Sequence, residues 1–199
     1  MSAMKTILIT ASLGLAPAIA LATTPTFDFY LDGGSGLIDT VSNSPSFSTG
    51  GIGLTVTAKK SNGNAAQIAN RWDGLGVVSG GILEASEITS GESLILTFNK
   101  TVNLTGLQFS AWEGLLDDAA LTVGTKTIDL GSMSASGLLV KELSFSNLSG
   151  TQFIIKGEGL LTSFRLAGVT VNAVPEPGTW ALMGLGLAGL AALRARRRA

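Results

Sequence analysis

No cysteine and no histidine occur anywhere in the 199 residues. Their absence removes disulfides and thiolate chemistry, the Ser-His-Asp and Cys-His nucleophile systems, and zinc sites built on nitrogen and sulfur ligands. Charged residues are scarce as well, at 14% against about 25% in ordinary soluble chains. Chemistry would have to come from carboxylates, hydroxyls, Lys, Arg and a single Tyr. An enzyme would therefore need a carboxylate pair, a Ser-Lys arrangement or an oxygen-bound metal. The supply of side chains favours a non-enzymatic protein.

Glycine, by contrast, is abundant: 26 residues, well above the usual share of about 7%. Together with many Ser and Thr residues it favours short strands and tight turns over long helices. The formal charge of −1 hides an asymmetry. Lys5, Arg194, Arg196, Arg197 and Arg198 account for five of the 13 basic residues, which leaves eight to face all 14 acidic ones. An acidic middle without a Lys/Arg cluster argues against nucleic acid as a partner.

The first stretch, MSAMKTILITASLGLAPAIALA, places one Lys before an apolar run and ends on Ala20-Leu21-Ala22. A charged start, a short apolar core and an A-x-A site are the parts of a secretory signal. Residues 1–22 are therefore expected to form a signal helix cleaved after Ala22, with Ala20 and Ala22 as the cleavage determinants.

The last stretch, AVPEPGTWALMGLGLAGLAALRARRRA, sets Val174-Pro175-Glu176-Pro177 before an apolar run and a terminal arginine cluster. The prolines fix an extended peptide. The 14 residues 180–193 rise only about 21 Å as a helix against a hydrocarbon core of about 30 Å. Spanning would require Trp180 at headgroup level and snorkelling arginines. Arg194, Arg196, Arg197 and Arg198 would then hold the tail on the cytoplasmic side. This three-part order resembles the PEP-CTERM sorting signal. The resemblance implies an exported bacterial protein, held transiently in the inner membrane by a transmembrane helix. It also implies processing by the membrane protease exosortase, often in organisms that make extracellular polysaccharide. Residues 174–199 form the expected sorting signal.

Between the two ends, residues 23–173 read as an all-β ectodomain. In GIGLTVTAKK, Ile52, Leu54, Val56 and Ala58 alternate with small or polar residues. Leu94, Leu96 and Phe98 share one face, as do Leu107, Phe109 and Ala111, and Phe153 with Ile155. Phe164 and Leu166 are followed by Val169 and Val171. Short period-two runs separated by turn signals predict an antiparallel β-sandwich of eight to ten strands. Residues 31–51, rich in Gly, Ser, Thr and Asn, predict a long surface connection. The pieces Gly74-Leu75-Gly76-Val77 and Glu87-Ile88 resemble elements of the ectodomain that accompanies many such sorting signals. That resemblance implies a jelly-roll-like sandwich akin to carbohydrate-binding modules. Relatives often carry more acids around the Ile, where this chain has Ala85, Ser86 and Thr89.

Several constellations are candidates for a site. Asp73, Glu84, Glu87, Glu113, Asp117 and Asp118 fall in predicted loops. Ca²⁺ takes several carboxylate and carbonyl oxygens, so Asp73, Glu84, Glu87, Asp117 and Asp118 are its candidate ligands, although no D-x-D-x-D-G spacing is present. Solvated charge is the simpler account of the same acids. Trp72 and Trp112 each precede a carboxylate and are candidates for stacking on sugars; burial at the ends of a sandwich is the competing account. Two functions follow. One is a non-enzymatic surface or matrix protein associated with extracellular polysaccharide. The other is an exported carboxylate-dependent hydrolase such as a glycosidase.

Overall fold

The computed structural model describes residues 24–30, 40–80, 86–113, 116–131, 140–174 and 177–196. The expected signal helix, with Ala20 and Ala22, lies outside them. The described middle is all-β: β1 (Thr26–Asp28), β2 (Thr40–Ser42), β3 (Ser46–Thr49), β4 (Ile52–Lys59), β5 (Ala65–Arg71), β6 (Gly74–Val78), β7 (Ile88–Thr89), β8 (Ser93–Ser110), β9 (Asp118–Val123), β10 (Lys126–Asp129), β11 (Val140–Glu158) and β12 (Ser163–Ala173). Within the expected connection 31–51, the described residues 40–51 form strands and a hairpin rather than a surface loop. Their Thr and Val pair β2 with β5, and the Phe47 strand β3 with β4, through a hairpin at Gly50-Gly51, both at positive φ.

The ladder runs β1-β12-β6-β5-β4-β8-β11-β9-β10, and every pairing between these strands is antiparallel. A further β12–β8 pairing closes a hydrogen-bonded circuit through β6, β5 and β4. The long strand β8 makes this possible. Its first part pairs with β4, Leu54↔Phe98 through Lys59↔Ser93. Its second part pairs with β12, Arg165↔Ser110 through Ala173↔Val102.

Side-chain parity follows these pairings. On β8 the inward residues are even-numbered from Leu94 to Leu104 and odd at Leu107 and Phe109. On β12 they change from Phe164 and Leu166 to Val169 and Val171. Each change coincides with a register shift, between Thr170 and Val171 opposite β8 and between Leu166 and Gly168. A one-residue slip would otherwise turn every following side chain outward, and a bulge absorbs it. Ala111 leaves the expected face: it is exposed, at φ 55, where the chain turns out of β8 after Ser110.

The result is one apolar core containing Leu94, Leu96, Phe98, Phe109, Phe153, Ile155 and Phe164. Phe98 meets Phe27 and Phe153 edge-on, both at 5.8 Å between centroids. These edge contacts add to the burial itself.

After the sheet, α1 (Pro177–Arg196) forms, with Pro177 at its first position and Arg194 and Arg196 in its last turn. Proline suits a helix start because its missing N–H costs nothing there. The expected transmembrane helix needs correction. Among the described residues no helix is long and apolar enough to cross a membrane. The 20-residue helix is about 30 Å long, but it opens on Pro-Gly-Thr and closes on Arg, and Gly184, Gly186 and Gly189 thin its apolar part.

Candidate functional site

The sequence candidates gather around the beginning of β12. Arg165 stands between Phe164 and Leu166 but on the opposite face of the strand, where two other segments reach it. The β5–β6 turn brings Asp73, whose Oδ2 lies 2.6 Å from Arg165 Nη1. The segment entering β7 brings Glu87, whose Oε1 lies 3.3 Å from the same nitrogen, and the Ser86 carbonyl, which accepts from Arg165 Nε at 3.3 Å. Ser163 Oγ donates to Glu87 Oε2. Asp73 Oδ1 is buried and has no hydrogen-bond partner among the described residues.

Two glycines allow this approach. Gly74, at φ 137, leaves room for the Leu166 carbonyl, which a Cβ would approach to 2.6 Å. A Cβ on Gly76 would overlap the Ser86 carbonyl oxygen. Beside it, Val77 N–H donates to Glu87 O at 3.3 Å. The Gly74–Val78 strand and the Glu87-Ile88 segment are thus neighbours in space, and Ile88 pairs with Phe164.

A second knot lies next to the first. Asp117 Oδ1 accepts from Ser163 N–H at 2.6 Å, and its Oδ2 accepts from Glu113 N–H. Burial pushes the Asp117 carboxyl above its ordinary 3.8; the bonds from Glu113 and Ser163 oppose this, and the charges of Glu113 and Glu87 add to it. Asp118 N–H donates to Thr162 Oγ1 at 3.1 Å, while Asp118 Oδ1 is buried without a partner among the described residues. Lys141 is buried, donates to the Leu130 carbonyl at 2.7 Å, and lies 4.0 Å from the centroid of Trp112. Burial holds its amine below 10.5, opposed by Asp118, Asp129 and Asp117.

Three of the five candidate Ca²⁺ ligands therefore have other occupations. Asp73 and Glu87 compensate Arg165, and Asp117 caps backbone amides. Among the described residues no group of three or more acids converges on a cation position; Glu84 lies outside them. The two tryptophans diverge. Trp112 packs on Phe109 and Phe164, with centroids at 5.4 and 5.0 Å, and Lys141 lies against its ring. Trp72 is 55% exposed, with Tyr30 edge-on at 6.0 Å. Grooves of about 370 Å³ over β9 and β11, and about 320 Å³ over β4 and β5, share no lining residue with these groups.

Arg165, Ser163 and Lys141 were not candidates from sequence. Arg165 and Asp73 are 92 residues apart, so no local spacing announces the pair. A lone cation inside an otherwise apolar strand is the one signal that could have found it.

At the other end of β12, Ala173 pairs with Val102, and Val174 N–H donates to the Thr101 carbonyl at 3.2 Å. Val174 is exposed. Pro175, Glu176, Arg197 and Arg198 lie outside the described residues, while Pro177, Arg194 and Arg196 belong to α1. Met183, Leu185, Leu187, Leu190 and Leu193 are all exposed. No curated protein and no solved structure matches the chain. Residues 173–198 match the PEP-CTERM protein-sorting motif, which implies export and processing by exosortase, a membrane protein, and is consistent with an exosortase substrate.

Proposed function

We propose that this chain is a non-enzymatic protein of the cell surface or extracellular matrix, delivered by exosortase and associated with extracellular polysaccharide. The sorting motif at residues 173–198 carries this reading. The exposed leucines of α1 support it, since they offer apolar surface to a membrane or a membrane protease. An N-terminal signal at residues 1–22 completes the route, and the inner membrane is a stage on it rather than a destination.

The ectodomain, residues 23–173, is an antiparallel β-sandwich of jelly-roll type in this reading. Long β8, which passes from β4 to β12 as its neighbour, supports that architecture, because strands that bend and change sheets form the corners of packed sheets. Two observations favour binding over hydrolysis. Asp73, Glu87 and Asp117 are already bonded to Arg165 or to backbone amides. Trp72 provides an exposed aromatic face, braced edge-on by the half-buried Tyr30, that suits stacking on a sugar.

The test is retention of the ectodomain on extracellular polysaccharide from the producing cells, with and without Ca²⁺, beside a glycosidase screen. Binding that Trp72→Ala abolishes, without turnover and without need of Ca²⁺, supports the proposal. Hydrolysis of a glycan would establish the carboxylate-dependent hydrolase instead.

A further inference from the structure

We propose that residues 172–174 must peel away from β8 before the sorting motif can be recognised, so the edge of the folded domain, and not the motif alone, governs processing. This inference rests on the exosortase reading above.

Proline has no N–H, so within residues 174–177 only Val174 and Glu176 carry one. The Val174 N–H is committed to the Thr101 carbonyl. Behind it the ladder continues with Ala173↔Val102 and Asn172↔Asn103. Ahead of it α1 begins at Pro177. Only Pro175 and Glu176 therefore separate the last sheet bond from the first helical residue. Extended peptides are recognised largely through main-chain hydrogen bonds with pockets for alternate side chains. A two-residue gap offers a protease less than the length of VPEP itself.

The structure also defines how far peeling can go. Asn172, Ala173 and Val174 are exposed. Val171 is fully buried, and its N–H donates to the Pro25 carbonyl at 3.0 Å. Opening residues 172–174 breaks ladder bonds while releasing no buried side chain, which places it among the low-cost local openings of a fold. Opening Val171 would expose core surface and is resisted. Release as far as Asn172 frees five residues ahead of the helix, about 17 Å of extended chain, and returns the Val174 donor.

The test uses the absence of native cysteine. Asn103 and Asn172 are direct antiparallel partners, with a Cα separation expected within the roughly 4.4–6.8 Å range of a disulfide. The full-length Asn103→Cys/Asn172→Cys protein is supplied oxidised or reduced to membranes carrying exosortase, and loss of the tail is followed by intact mass. The oxidised form should be processed about tenfold more slowly, or worse, because its competent fraction falls. Reduction should restore the wild-type rate, as should a Gly-Ser-Gly-Ser spacer between Ala173 and Val174 in the oxidised form. An oxidised form processed at the wild-type rate overturns the inference. So does slowing that neither reduction nor the spacer relieves. A wild-type chain that is never shortened contradicts the exosortase reading itself.

Discussion

Arg165 Nη1 lies 2.6 Å from Asp73 Oδ2, and the pair pins the start of β12 to the turn between β5 and β6. Only 12% of the Arg165 side chain and 9% of the Asp73 side chain are exposed, and Glu87 approaches the same guanidinium. Arg165→Ala would leave two carboxylates poorly compensated in a buried site. A loss of about 3–5 kcal/mol in unfolding free energy is expected, measured by urea denaturation. Arg165→Lys should recover part of the loss, since it keeps the charge but not the forked geometry. A loss as small as that of an exposed ion pair would contradict the account.

The glycine in GLGV is required by proximity. Gly76→Ala would drive a methyl group into the Ser86 carbonyl, and backbone cannot yield as a flexible side chain can. Overpacking of this kind costs about 1–3 kcal/mol. The Gly76→Ala protein should melt at a lower temperature, with amide exchange accelerated first around β6 and β7. Uniform acceleration, or none, would indicate that this approach is not what holds the segment.

Phe98→Ala tests the core. Its ring is 4% exposed and meets Phe27 and Phe153. Truncation of a buried Phe costs about 3–5 kcal/mol, while Thr97→Ala on the exposed face should change stability by no more than about 0.5 kcal/mol. Equal effects at the two positions would place the inward face wrongly.

The alternating faces of β4, β8, β11 and β12 were legible because period-two burial writes itself directly into sequence. The parity changes after Leu104 and after Leu166 were present as well, but only the register shows that bulges cause them. Strands β2 and β3 were hidden because Thr, Ser and Gly serve turns and edge strands alike. The Arg165 cluster was hidden for a different reason: its partners come from turns far away in the chain. Trp72-Asp73 and Trp112-Glu113 look equivalent as dipeptides, yet one ring projects outward and the other packs on Phe109 and Phe164. Local sequence does not carry that difference; the packing partners far along the chain do.

Acid titration should reveal Asp117. Its folded carboxyl binds a proton more tightly than the unfolded one, because burial raises it above 3.8. Its contribution to stability is therefore fully present below 3.8 and is lost as pH rises through the folded value. The stability difference between wild type and Asp117→Asn should shift against the wild type across that window and level off above it. A difference that shifts in favour of the wild type with rising pH would mean that the amide bonds from Glu113 and Ser163 outweigh burial.

In the proposed reading, residues 173–198, which match the sorting motif, address the protein and do not anchor it permanently. The most direct test is the intact mass of the surface-exposed protein from a host that carries exosortase, compared with the same host lacking it. The account predicts a mature chain without α1 and its arginines in the first host and an unshortened C-terminus in the second. A surface protein that still contains Trp180 and everything through Ala199 in the exosortase-bearing host would contradict it.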